Sequence, residues 1–190
     1  KNDNIVVTCF GDTVLEEGIF HESMNFASLH KLRVIFFCEN NFYSIFSPLK
    51  NRQPERPLTD VAKAHNMKAC FIDSSNVFEA AKAMKPVVDD VRNNEYPIFL
   101  EVKTYRYVEH CGPNSDEHIK FRPEGELEFW KARDPLGIAM AELSRLGYWS
   151  DEWHDDMEQK IKEEISSAFE FSINSPYPAK EELGAFTYAK

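Results

Sequence analysis

Four short apolar runs, each followed by residues with helical spacing, constrain this chain more than any other feature. They are "NIVVTCF" (residues 4–10), "RVIFFCE" (33–39), "KACFID" (68–73) and "YPIFLEVKTYRY" (96–107). Each is too short for a core helix and rich in β-branched or aromatic residues, so each reads as a strand. Residues 14–31, 57–66 and 76–94 between them carry a helical period, with a bend expected at Pro86, which has no amide proton. Continuous apolar strands that alternate with helices require crossover connections and a sheet covered on both faces. The expected fold is α/β, a doubly wound and mostly parallel sheet over residues 1–123.

The remainder differs. After a polar loop, residues 134–147 and 150–173 read as helices, giving a C-terminal helical extension over 124–190 that packs on the sheet or on a partner. Ser150 followed by Asp151 and Glu152 is a helix start, because early acids complement the helix dipole. Met157, Ile161, Ile165 and Phe169 recur every four residues and are expected to face the sheet, while the acidic run 151–164 is expected to face solvent.

Composition excludes several classes. Apolar residues make up 43% of the chain, too many for a disordered one, and a net charge of −10 opposes nucleic acid or an anionic membrane as main partner. No apolar stretch is long enough to span a bilayer and "KNDNIVV" is no signal sequence, so the expected location is cytoplasmic. Cys9, Cys38 and Cys70 sit in apolar runs and are expected to be buried reduced thiols; Cys111, in a polar loop, is the candidate reactive one.

At residues 11–13 the first strand gives way to Gly-Asp-Thr, and the second ends in Asn40-Asn41. In an open parallel sheet, ligands bind at these carboxyl ends. A carboxylate there repels a phosphate unless a divalent cation lies between them. Magnesium accepts one or two side-chain oxygens, with the rest from a diphosphate and water. Neighbouring strand ends bearing Asp and Asn suit such an ion.

These residues carry a resemblance. Gly11-Asp12 with Asn40-Asn41 resembles the thiamine-diphosphate motif. The longer text "GDTVLEEGIFHESMNFASLHKLRVIFFCENNFYSIFSP" resembles the alpha-type subunits of 2-oxo acid and acetoin dehydrogenases, as do "EVKTYRYVEHCGPNSDEH" and "FWKARDPL" further on. The resemblance implies a sheet of the thiamine-diphosphate-binding type. It implies magnesium held by Asp12, Asn41 and the Tyr43 carbonyl, and diphosphate held by the amides of Thr13 and Val14. His110 is implied as a loop histidine near the diphosphate and the reacting centre, and Arg106 as a positioning residue. The implied reaction is decarboxylation of a 2-oxo acid, or acetoin cleavage, with acyl transfer. The implied partners are a beta-type subunit, which supplies the activating glutamate, and the lipoyl domain of an acyltransferase, in a hetero-oligomer.

The match departs from the family at the anchor. Thr13 replaces a glycine, ill-suited if the position needs φ > 0, whereas at negative φ its hydroxyl is free to bond a phosphate. Glu16 stands where relatives have asparagine and adds a carboxylate that opposes a diphosphate. Relatives also carry an N-terminal stretch before this point, so that half is expected from another polypeptide, or these residues are a fragment, and the chain alone is expected to be inactive. Two other functions stay open: a split transketolase-like or acyloin-forming transferase, and a non-catalytic homologue with a degenerate site.

Overall fold

A computed structural model describes residues 3–185 and Thr187. The chain divides into two compact units, Lys1–Ala141 and Glu142–Lys190. The first unit is built on a parallel sheet of β1 (Val6–Gly11), β2 (Val34–Asn40), β5 (Lys68–Ile72) and β6 (Ile98–Lys103), in the order β1-β2-β6-β5. The α/β, parallel architecture is the one the alternation of runs calls for. Two-residue strands β3 (Tyr43–Ser44) and β4 (Ser47–Pro48) form a separate hairpin after β2.

The period-two alternation of strand side chains splits the core into two layers. Phe36 and Cys38 of β2 and Phe99 of β6 point to one face. There they meet Phe20, Met24 and Ala27 of α1 (Gly18–Leu29) and Val61 and Ala62 of α2 (Thr59–Ala64). Ile35, Ile98 and Leu100 point to the other face, against Val87 and Val91 of α3 (Val77–Asn94). Helices therefore cover both faces, as a doubly wound sheet requires. The side chain of Asn76 caps α3, accepting from the amides of Phe78 and Glu79, and the helix runs through Pro86 as one element.

Three expectations are corrected. The first apolar run is not a buried strand: β1 pairs only with β2, and Val6 and Val7 are 60% and 48% exposed at the sheet edge. Cys9, on the same strand, is exposed rather than buried, whereas Cys38 is buried and Cys70 partly so. Burial, aided by Glu101 and Asp12, holds the Cys38 thiol far above its usual range, so it is inert. The first helix also starts later than the sequence suggests. Asp12–Glu16 form a 3-10 turn, Glu17 is extended, and α1 begins at Gly18; β-branched Thr13 and Val14 suit a tight turn better than a helix interior.

The strand expected over 96–107 stops at Lys103 and continues as a loop to α4 (Glu126–Lys131). Trp130 of α4 stacks on Tyr105, and the Tyr107 hydroxyl donates to the Trp130 carbonyl, which holds the loop's first residues. α5 (Pro135–Arg145) follows, with Arg145 paired to Glu142.

In the second unit, α6 (Asp151–Asn174) starts where the sequence predicts: the Ser150 hydroxyl accepts from the Trp153 amide. Along its apolar stripe, Met157 is 39% and Phe169 66% exposed. Among the described residues no helix is long and apolar enough to cross a membrane.

Candidate functional site at the strand ends

The site is assembled by register. Gly11 of β1 pairs with Glu39 of β2, so Asp12 and the Asn40-Asn41 pair leave neighbouring strands just past a shared rung. Strands in a sheet lie about 4.8 Å apart, which brings the two tips together as the sequence predicts.

Asp12 is 1% exposed, a costly place for a carboxylate. One oxygen, Oδ2, accepts a hydrogen bond from the Arg52 guanidinium. The other, Oδ1, is buried and has no hydrogen-bond partner among the described residues. A buried carboxyl oxygen without a donor is what a cation ligand looks like before its cation is considered. Asn41 follows the end of the neighbouring strand β2, its side-chain oxygen accepting the Tyr43 amide at 3.0 Å and keeping a second lone pair. In the hairpin, Tyr43 is paired with Pro48, which has no amide proton to give the Tyr43 carbonyl. The three donors the resemblance implies, one carboxylate, one amide oxygen and one carbonyl, are all hard oxygens, the ligand chemistry magnesium takes. No group of three or more His, Cys, Asp or Glu that could hold a metal ion occurs among the described residues.

Asn40 does different work. It is buried; its amide donates to Glu101 Oε1 at 2.8 Å and its side-chain oxygen accepts the Phe42 amide at 3.0 Å. It ties β2 to β6 and shapes the turn in which Phe42 takes φ 69°. Burial pushes the Glu101 carboxyl up, and the Asn40 amide opposes that rise.

Thr13 is not among the residues with positive φ, so a β-branched side chain is tolerated there. With Val14 it sits in the 3-10 turn that starts at Asp12. Glu16 does not stand as a bare acid. Its Oε1 accepts from Arg52 and from the Gln53 amide at 3.0 Å. Sequence reading passed over Arg52 and Gln53; the signal was a basic stretch, "KNRQPER", soon after the Asn pair.

His110 is exposed in the loop after β6, within a turn closed by Glu109 and Asn114. None of the hydrogen bonds or ion pairs of Asp12 and Asn41 reaches it. Arg106 acts as a brace: its guanidinium donates to the carbonyls of Ile45 (2.7 Å) and Val108 (2.9 Å), fastening this loop to the hairpin. Asp116, fully buried, receives both arms of Arg122 and lies 3.6 Å from Arg106. Burial alone would raise the Asp116 carboxyl, but Arg122 and then Arg106 outweigh it and hold it below the usual carboxylate range. The hydroxyls of Tyr43 and Tyr105 both donate to Glu126 Oε1, at 2.6 and 2.8 Å. An aromatic-walled cleft of about 570 Å³ opens here, lined by Phe42, Tyr43, Leu49, Phe121 and Arg122, a volume suited to a small organic ligand.

Comparison with known proteins identifies a family. The family described as "Dehydrogenase E1 component" matches residues 1–181. The whole chain is 33% identical to the 2-oxoisovalerate dehydrogenase subunit alpha of Bacillus subtilis (strain 168), covering 57% of that protein. Over 97% of its length it is 34% identical to the pyruvate dehydrogenase E1 component subunit alpha of Rickettsia conorii, covering 56% of it. It is 29% identical to the alpha subunit of the Bacillus subtilis acetoin:2,6-dichlorophenolindophenol oxidoreductase, covering 54% of it. The chain thus spans about half the length of the curated relatives it matches.

Proposed function

Because this chain belongs to the dehydrogenase E1 component family, we propose that it carries the cofactor-anchoring half of an alpha-type subunit. The reaction proposed is thiamine-diphosphate- and magnesium-dependent decarboxylation of a 2-oxo acid, or cleavage of acetoin, with acyl transfer. A beta-type subunit and the N-terminal half found in relatives complete the hetero-oligomer, and a lipoyl domain is the proposed acceptor. The observation that carries this reading is the unpartnered, buried Oδ1 of Asp12 at the tip of a strand adjacent to that bearing Asn41.

In this reading Asp12, the Asn41 side chain and the Tyr43 carbonyl hold the magnesium ion. The amides of Thr13 and Val14, and the Thr13 hydroxyl, face the diphosphate. His110 reaches the reacting centre from its loop, which Arg106, Asp116 and Arg122 hold in shape. When bound, thiamine diphosphate supplies the nucleophilic carbon and the electron sink for loss of carbon dioxide. The protein anchors the charged tail, presents Asp12 to the cation and shields the site from water.

The test is a titration of magnesium and thiamine diphosphate into the assembled protein, with the beta-type chain and the N-terminal half present. Binding is expected in the micromolar range or better, and Asp12→Ala is expected to abolish it. Equal binding by wild type and Asp12→Ala overturns the reading.

A further inference from the structure

Beside Asp12 lies a second carboxylate, Glu16, and the two share one cation. The Arg52 guanidinium donates to Asp12 Oδ2 through one nitrogen and to Glu16 Oε1 through another, while its Nε donates to the Ser47 carbonyl at 3.2 Å. Its side chain is only 10% exposed, and the amides of Arg52 and Gln53 both donate to the Leu49 carbonyl at 3.0 Å. The guanidinium is therefore held by the backbone of the hairpin that also presents the Tyr43 carbonyl. Gln53 closes the group, its amide donating to Glu16 and, at 3.4 Å, to the Asp12 carbonyl.

The charges decide what this arrangement does. Two carboxylates and one guanidinium leave one net negative charge. Without Arg52 the pair would attract a bare dication strongly and repel a diphosphate; in a partly buried site both effects are large. Arg52 takes only one oxygen of Asp12, and Oδ1 stays unpartnered among the described residues, so a cation still has its ligand. We propose that Arg52 is a positioning residue that sets the charge of the anchor: it lowers the affinity of Asp12 for a bare dication and raises the affinity of the anchor for a diphosphate. The proposal rests on the reading of Asp12 as a cation ligand. It gives Glu16 a role too, as the second acceptor that fixes the guanidinium beside Asp12 rather than as an obstacle to the cofactor.

The test uses the assembled protein, with the beta-type chain and the N-terminal half present, and Mn²⁺ alone as the first probe, followed by electron paramagnetic resonance, with thiamine diphosphate at saturating Mn²⁺ as the second. Arg52→Gln is expected to bind Mn²⁺ about tenfold more tightly and thiamine diphosphate about tenfold more weakly. Changes of opposite sign are a signature that loss of structure does not produce. Glu16→Gln, which leaves the guanidinium to Asp12 alone, is expected to weaken Mn²⁺ binding several-fold. Unchanged or weaker Mn²⁺ binding by a folded Arg52→Gln overturns the role of Arg52. Asp12→Asn separates the two ideas. If it abolishes Mn²⁺ binding while Arg52→Gln changes nothing, only the role of Arg52 fails. If Mn²⁺ binds equally well without Asp12, or to neither wild type nor Arg52→Gln, the cation site fails and this role with it.

Discussion

Two buried aspartates, each met by an arginine, carry different work. Asp116 has both oxygens bonded to Arg122, a bidentate pair with its own counter-ion. Asp12 has one oxygen bonded and one without a partner among the described residues. The same residue type and nearly the same burial thus give a structural brace at one place and a candidate ligand at the other. Because Arg122 and Arg106 hold the Asp116 carboxyl low, its contribution is present above the unfolded aspartate value of about 3.9 and is lost as pH falls through the lower folded value. Asp116→Asn leaves Arg122 buried without its counter-ion and is expected to cost about 3 kcal/mol at pH 7. Thermal denaturation of both proteins checks this; the difference should shrink toward pH 3, and a constant difference would contradict the assignment.

Between elements, the contact of α1 with α2 holds a histidine pair. His21 Nε2 lies 3.1 Å from the Leu15 carbonyl and its Nδ1 lies 3.1 Å from His65 Nε2. A carbonyl only accepts, so His21 carries its proton on Nε2 and accepts at Nδ1 from His65. Burial, and then the neighbouring His21, lower the His65 value from 6.5. The unfolded chain therefore binds protons more readily there, and stability falls as pH drops below about 6.5. Arg56 and Asp60 line the same small pocket. His65→Gln is expected to flatten the pH dependence of the melting temperature between pH 5 and 7, read by circular dichroism. An unaltered slope would assign the acid sensitivity to other groups.

At the scale of the molecule, both apolar core clusters lie within the first 100 residues, and α6 contains no buried residue. Removing residues 150–190 is therefore expected to leave the thermal transition of the sheet unit within a few degrees of the full chain. A large drop would mean that α6 contributes to the sheet's stability. The exposed edge strand β1 is where sequence and structure part. Its pattern announces burial, because apolar runs exist to be covered, but a pattern does not say what covers it.

The fold class, and the strand ends that carry the candidate ligands, were legible in the order of the residues. Apolar runs of strand length separated by helical periods leave little but a parallel sheet, and ligand positions at its carboxyl ends follow from strand polarity. Asp12, Asn41 and Tyr43 are readable because each stands next to the strand or turn that places it. Arg52, Gln53, Asp116, Arg122 and Glu126 were not readable. Arg52 reaches Asp12 across 40 residues of chain, and Tyr43 reaches Glu126 across 83. Local chemistry sets which residue ends a strand. Only the folded chain sets which distant charge comes to rest against it, since a Coulomb interaction depends on distance in space and not along the sequence.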